Sequence, residues 1–328
     1  MSRLNAMRRE QLVLLAALLM APQASLAQTY PNRPIHLIIP FAPGGVSDVI
    51  ARPIADRLSR VLGQPVIVES RAGASGTLGA AYVAQSAPDG YTLLLGTANE
   101  IVMAPTLYRS MPYDPRTSFA PITPVSVFPN VLVVGKDSPF KTVADLVAAA
   151  RAEPDTLTFA HSGVGSTNHL SAELFKRAAR IRIMNVPYRG GGPALIDLSG
   201  GHVTAMFATL PSAVSLIQSG VIRALAVTGS RRSDVLPDVP TVIEAGLPGA
   251  VVTTWNGIMA PAGTPPELLE LLHKALAEVM AQPSLKETFA AVGAETEFST
   301  PQEFAALIRT DFDRWAAVIK EAGISGQQ

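Results

Sequence analysis

Apolar residues in this chain come in short unbroken runs, separated by stretches of helical periodicity. "IHLIIP" (35–40) is one such run; it ends just before Gly44 and Gly45, and positions 48–62 then read as an amphipathic helix. Unbroken apolar runs of this length predict strands buried on both faces. The pattern repeats with a strand at 65–70, a helix at 76–85 and a strand at 91–97. Strand–helix–strand repeats predict βαβ units, a parallel sheet and an α/β domain.

A proline-rich passage, 111–129, interrupts this rhythm and leads into the strand "NVLVVG". The alternation then restarts. Helices are predicted at 142–152, 168–179 and 193–201, with strands at 157–163, 203–209 and 221–229 and a strand entering a loop at 181–191. Thr142 followed by Asp145 has the spacing of a helix cap. A second proline-rich stretch covers 236–249, and beyond "WNGIMAPAGTP" (255–265) the chain reads as helical. There Thr300, Pro301 and Glu303 supply a cap, a first-turn proline and an acidic partner. Two α/β blocks joined by two proline-rich crossings predict two lobes, 28–125 with 253–328 and 126–252. A cleft between lobes is the usual place for a small ligand.

Composition narrows the chemistry. The 328 residues include no cysteine and 26 Lys plus Arg against 26 Asp plus Glu. Balanced charge provides no surface for a polyanion, so no nucleic-acid partner is expected. Thiol nucleophiles and thiolate metal sites are impossible. At the N-terminus, Arg3, Arg8 and Arg9 precede the apolar run 12–21, and Ser25 and Ala27 occupy the small-residue positions of a cleavage site. That run is about half of the roughly 20 residues needed to span a bilayer. A secretory signal, 1–27, cleaved near Ala27 is therefore expected. The remainder would be exported and soluble, with 23 basic and 25 acidic residues and no membrane-inserted segment.

In open α/β sheets, ligands sit beyond the C-terminal ends of strands. In the first block this selects Phe41, Gly44, Gly45, Ser47 and Asp48, then Ala74, Ser75 and Gly76, then Thr97 and Asn99. In the second block it selects Ser162, Gly165, Ser166, Thr167 and His169, then Tyr188, Arg189 and Gly190, then Thr209. "PFAPGGVSD" and "HSGVGSTNH" each place glycines and hydroxyls at a helix N-terminus, where free N–H groups and the helix dipole favour an anion. One such loop in each lobe would grip the two ends of a small carboxylate. Taken singly, each is also an ordinary turn in which Asp48 or Ser166 caps a helix. Arg189 is either a carboxylate partner or a solvated loop arginine, and Tyr188 either packs or binds. Trp255 belongs to a hinge or cleft wall, or to the core.

Enzyme signatures are missing: there is no nucleophile elbow, phosphate loop or dinucleotide fingerprint. His161 and His169 lack the spacing of a helical zinc pair and are expected to order their loop by hydrogen bonds. A hydrolase using Ser162 or Ser166 is the one enzymatic alternative.

Long stretches of the chain are familiar. "YPNRPIHLIIPFAPGGVSDVIAR", "VESRAGASGTLGAAYVAQSAPDGYTLLLGT", "VPYRGGGPALIDLSGGHV" and "RALAVTGSRRSDVLPDVPTVIEAGLPG" resemble the Bug family, the extracytoplasmic solute-binding receptors of tripartite tricarboxylate transporters. The likeness runs from about Tyr30 to Trp315. It implies a type II periplasmic-binding-protein fold whose two lobes close on a ligand, without catalytic residues, cofactor or metal. It also implies that loops 41–48 and 74–76 hold a ligand carboxylate, partly through ordered water, and that loops 162–169 and 188–191 complete the pocket. Val46, Ala98, Asn99, Val164 and Thr209 would face the variable part of the ligand, while His161 replaces a usually small residue. Implied ligands are amino acids, di- and tricarboxylates and aromatic acids. The implied partners of this periplasmic monomer are membrane transporter subunits, met transiently, or alternatively a sensor kinase.

Overall fold

The computed structural model describes residues 30–108 and 110–322. The expected signal segment, 1–27, and the expected start at Gln28 lie outside them. A compact unit, Arg33–Gln328, contains every element below. Among the described residues no helix is long and apolar enough to cross a membrane.

The first block folds as β1 (Ile35–Ile39), α1 (Val46–Leu62), β2 (Val66–Ser70), α2 (Thr77–Ala84) and β3 (Thr92–Thr97). After a π-helical turn, Asn99–Met103, comes the long strand β4 (Phe119–Gly135). The second block follows as α3 (Val143–Ala152), β5 (Thr158–His161), α4 (Thr167–Ala179), β6 (Met184–Pro187), α5 (Gly191–Ser199), β7 (Ala205–Thr209), α6 (Leu210–Gln218) and β8 (Ile222–Val227). The chain closes with β9 (Thr253–Pro261), α7 (Pro266–Met280), α8 (Pro283–Ala290), β10 (Glu295–Thr296) and α9 (Pro301–Ala322).

The strands lie in the order β2-β1-β3-β9-β4-β7-β5-β6, with β8 and β10 also pairing with β4. β1 runs parallel to β2 and β3, and β5 runs parallel to β6 and β7. β4 and β9 run antiparallel to their neighbours, so the sheet is mixed rather than purely parallel. The parallel strands matter most for position. Within each half of the sheet, their C-terminal ends, and hence the glycine-rich loops, emerge at one edge.

β4 carries both halves. Its residues from Phe119 to Pro129 pair with β9, and those from Asn130 to Gly135 pair with β7 and β8. Each half covers an apolar core. Trp255, Phe304 and Trp315 pack in the first, and Phe159, Phe175 and Phe207 form a cluster of inclined rings in the second.

Three expectations are corrected. The proline-rich passage 111–129 is largely strand, because its register against β9 slips between Pro121 and Thr123 and again between Pro124 and Ser126. Prolines at such irregularities need not donate to the ladder. "WNGIMAP" is likewise a buried strand, β9, and not a mere crossing. No helix was expected directly after Thr209, yet α6 begins there; its Pro211 sits in the first turn, where the missing N–H costs nothing. The caps hold as expected. Thr142 and Asp145 form a capping box, and Thr300 and Glu303 exchange the same pair of bonds.

Candidate functional site

Four helices begin around one inner cavity. Gly45 and Val46 line it at the start of α1, Thr167 and Asn168 at α4, Gly191 at α5 and Thr209 at α6. Among the described residues no side chain caps α1, α5 or α6. The orphan N–H groups and positive dipole ends of these helices therefore create a field that favours negative charge. None of the described residues lining the cavity is ionisable. The floor comes from β4 and β9, through Phe128, Thr254, Trp255 and Asn256. The volume is about 30 Å³, enough for one or two waters.

An outer cavity of about 170 Å³ shares Phe41 and Ser162 with the inner one. Ala74, Ser75 and Gly76 line one side, and Tyr188 and Arg189 the other. Ala74, Ser75 and Gly76 all have positive φ, at 45°, 55° and 94°, a conformation that is unfavourable for the two that carry a Cβ. Arg189 is exposed and has no ion-pair partner among the described residues. A free cation thus stands at the mouth of a site whose interior relies on backbone dipoles.

The two jaws touch. Ser75 Oγ donates to the Val164 carbonyl at 2.5 Å, Tyr108 OH donates to the same oxygen at 3.3 Å, and Thr167 N donates to Asn99 Oδ1 at 2.7 Å. Glycines allow this approach. A Cβ on Gly163 would lie 2.5 Å from Ser75 Oγ, and one on Gly192 would lie 2.9 Å from the Pro43 carbonyl.

Residues 50–324 match the family described as tripartite tricarboxylate transporter family receptor. The chain belongs to that family. BugT of Bordetella pertussis is 41% identical over 298 residues, which cover 90% of this chain and 91% of BugT. A protein of R. palustris solved with adipate superposes with a TM-score of 0.88 at 39% identity, over 91% of this chain and 100% of its own. MatC from Rhodopseudomonas palustris, solved with bound malate, superposes with a TM-score of 0.84 at 34% identity, over 88% of this chain and 100% of its own. Members of the family are periplasmic solute-binding receptors of two-lobed α/β fold, not enzymes.

In this receptor the sequence-selected residues divide into four groups. Gly45, Thr97, Asn99, Thr167 and Thr209 line the inner cavity; Ala74, Ser75, Gly76, Tyr188 and Arg189 line the outer; Phe41 and Ser162 line both. Gly44, Ser47, Asp48, Gly165, Ser166, His169 and Gly190 line neither. Asp48 accepts from Gly44 N at 3.3 Å and pairs with Arg52 at 2.7 Å, so it shapes its own loop. Ser166 caps α4 by accepting from His169 N. Gly190 lets its loop approach Ala42, where an added Cβ would lie 3.3 Å from the backbone nitrogen. Tyr188 lines the outer cavity while its hydroxyl donates to Asp197 at 2.6 Å.

The two histidines hold the second-lobe loop from behind. His161 Nδ1 accepts from Gly163 N and His169 Nδ1 accepts from Gly165 N, both at 3.2 Å, and the rings lie side by side, tilted by 32°, with centroids 4.5 Å apart. Burial pushes His161 down to about 4 and also lowers His169, so both act as neutral acceptors. Glycine amides expected to be free for an anion are thus already bonded. Among the described residues neither candidate serine hydrogen-bonds an imidazole: Ser162 Oγ donates to Asn168 Oδ1, and Ser166 Oγ accepts from His169 N. Among the described residues there is no cluster suited to a metal ion.

Of the floor, sequence reasoning offered only Trp255, as a candidate cleft wall, and it gave Glu100 no role. Glu100 is fully buried, and burial raises its carboxyl to about 8 despite hydrogen bonds from Thr97. Its oxygens face Thr97 N and Oγ1 at 2.5 Å each, and Thr97 Oγ1 in turn accepts from Asn99 N. It therefore braces two residues of the inner wall. The π-helical turn was the available signal only in three dimensions; such turns recur at functional sites.

Proposed function

We propose that this receptor captures a small carboxylate between its lobes and delivers it to a tripartite tricarboxylate-type membrane transporter. The observation that carries this reading is the convergence of four helix N-termini on a cavity with no charged side chain. Such a site stabilises a buried anion through fixed dipoles. Arg189 and the turn at 74–76 offer a second contact at the mouth. Adipate in one similar protein and malate in another support a small-carboxylate class for this chain too. The lobes are 28–125 with 253–328 and 126–252, and the exchange of partners along β4 supports that division. The protein acts as a periplasmic monomer after removal of residues 1–27. A ligand touching both jaws favours the closed arrangement by the contacts it gains there.

A thermal-shift screen with adipate, malate, glutamate, citrate and benzoate tests the reading. At least one should raise the melting temperature with concentration, as linkage requires. No shift from any of them, together with no binding by calorimetry, would refute it. Gly45→Leu should abolish the shift without unfolding the chain, since a Cβ there meets only the Ala42 carbonyl at 3.4 Å.

A further inference from the structure

Asn256 stands out on the floor of the inner cavity. It is fully buried, yet among the described residues its Nδ2 has no hydrogen-bond partner. Its Oδ1 receives only a long contact, 3.5 Å, from Ser126 Oγ. Side chains alternate along a strand, and β9 shows which way this one points. Trp255 donates through Nε1 to Asp311 in the first-lobe core, and a Cβ on Gly257 would strike Phe304 on that same side. Asn256, lying between them, projects to the opposite face of the sheet, where it meets Ser126 Oγ, and it lines the cavity. Its register partner on β3 is Thr97, another lining residue.

A buried amide donor without a partner is destabilising, and few such groups persist without a reason. Here the reason is a ligand atom. We propose that Asn256 Nδ2 donates to a carboxylate oxygen at the inner end of the ligand, making Asn256 a binding residue kept at a cost in stability to the free chain. The inference rests on the carboxylate reading above and deepens it. The helix N-termini attract the charge, and the amide, fixed on a strand of the floor, selects an acceptor at that depth. A ligand presenting an ammonium or a methyl group to the floor would leave the donor unmet.

The test compares wild type with Asn256→Leu and Asn256→Asp, using adipate, malate, glutamate, citrate and benzoate as probes. Leu has a similar shape and no donor. Without a probe, the Leu variant should melt at or above the wild-type temperature, because removing a buried unpartnered donor in favour of an apolar group is neutral or stabilising. With the probe that shifts wild type most, its affinity should fall by about tenfold or more. Asn256→Asp should bind still more weakly at neutral pH, and the deficit should narrow as pH falls and the new carboxyl regains a proton to donate.

Two results would overturn the proposal. One is a Leu variant that keeps wild-type affinity. The other is a Leu variant that melts well below wild type while the Asp variant binds as wild type does, which is the signature of a structural asparagine. Either leaves the carboxylate reading intact, whereas absence of any shift in wild type defeats both.

Discussion

Ser75 Oγ and the Val164 carbonyl, 2.5 Å apart, join a turn of the first lobe to the glycine-rich loop of the second. Tyr108 OH reaches the same oxygen at 3.3 Å. Both bonds exist only while the jaws meet, so they stabilise the closed form selectively. Each is worth about 0.5–1.5 kcal/mol net. Ser75→Ala and Tyr108→Phe should therefore each weaken carboxylate binding by about two- to tenfold. The pair should be non-additive, because the second loss leaves the Val164 carbonyl without either donor. Calorimetry on the two single variants and the double variant measures this; unchanged affinity in all three would show that the bound form does not use the contact.

Gly192 gives a prediction in which stability and binding move in opposite directions. It is the second residue of α5, and its backbone has no positive φ that would penalise a side chain. Alanine in a helix is favoured over glycine by about 1 kcal/mol. Yet a Cβ there would lie 2.9 Å from the Pro43 carbonyl, a backbone atom with little freedom to yield. Gly192→Ala should therefore match or exceed wild type in melting temperature without ligand, and lose about tenfold or more in carboxylate affinity through blocked closure. Scattering profiles should show the variant failing to compact with ligand. A variant that binds normally would mean that the α5 loop does not approach Pro43 in the bound state.

The histidine pair predicts an acid-labile jaw. His161 and His169 accept amide protons through Nδ1, and protonation would turn each acceptor into a donor facing an N–H. The groups around them are Glu173, which favours the cation on His169, and Lys176, which opposes it. Folding holds His161 near 4 against an ordinary value of 6.5. A base whose folded value is depressed contributes stability above its unfolded value and loses it as pH falls through that window. Stability should therefore drop from pH 6.5 toward 4. His161→Asn, which keeps an acceptor near the Nδ1 position without titrating, should flatten the decline. An unaltered slope in that variant would assign the acid sensitivity elsewhere.

How far the chain could be read before its fold depended on what kind of signal each residue carried. β1, α1, α3 and α7 were legible because apolar runs, periodicity and caps are local. Thr142 and Thr300 declared their helices by spacing alone. The proline-rich first half of β4 and all of β9 were not, since prolines and glycines that normally break strands are accommodated by register slips visible only in pairing. That misreading hid Thr254 and Asn256, because a residue placed in a crossing has no face to point from. The glycine loops were rightly selected as a group, but their division of labour was not. Asp48, Ser166 and His169 brace loops, while Ser75 and Thr97 reach the cavities. Glu100 stood in view beside Asn99, and nothing local announces that a glutamate will be buried.

Glu100 yields the last prediction. Its carboxyl is raised from 4.5 to about 8 by burial, so the folded chain retains a proton that the unfolded chain gives up between those values. The folded state therefore binds more protons across that window, and stability must fall as pH rises through it, levelling above about 8. This is the opposite sign to the histidine effect, and the two overlap between about 4.5 and 6.5. Glu100→Gln removes the titration and keeps an oxygen to accept from Thr97 N, so its melting temperature should vary less with pH than wild type above 6.5. Ligand binding adds an independent readout. Ionised Glu100 would place a negative charge behind Thr97, on the inner wall, and repel a buried carboxylate. Wild-type affinity should decline as pH rises toward 8, and the Gln variant should hold its affinity over the same range. If both proteins lose affinity in parallel, Glu100 is not the group that titrates.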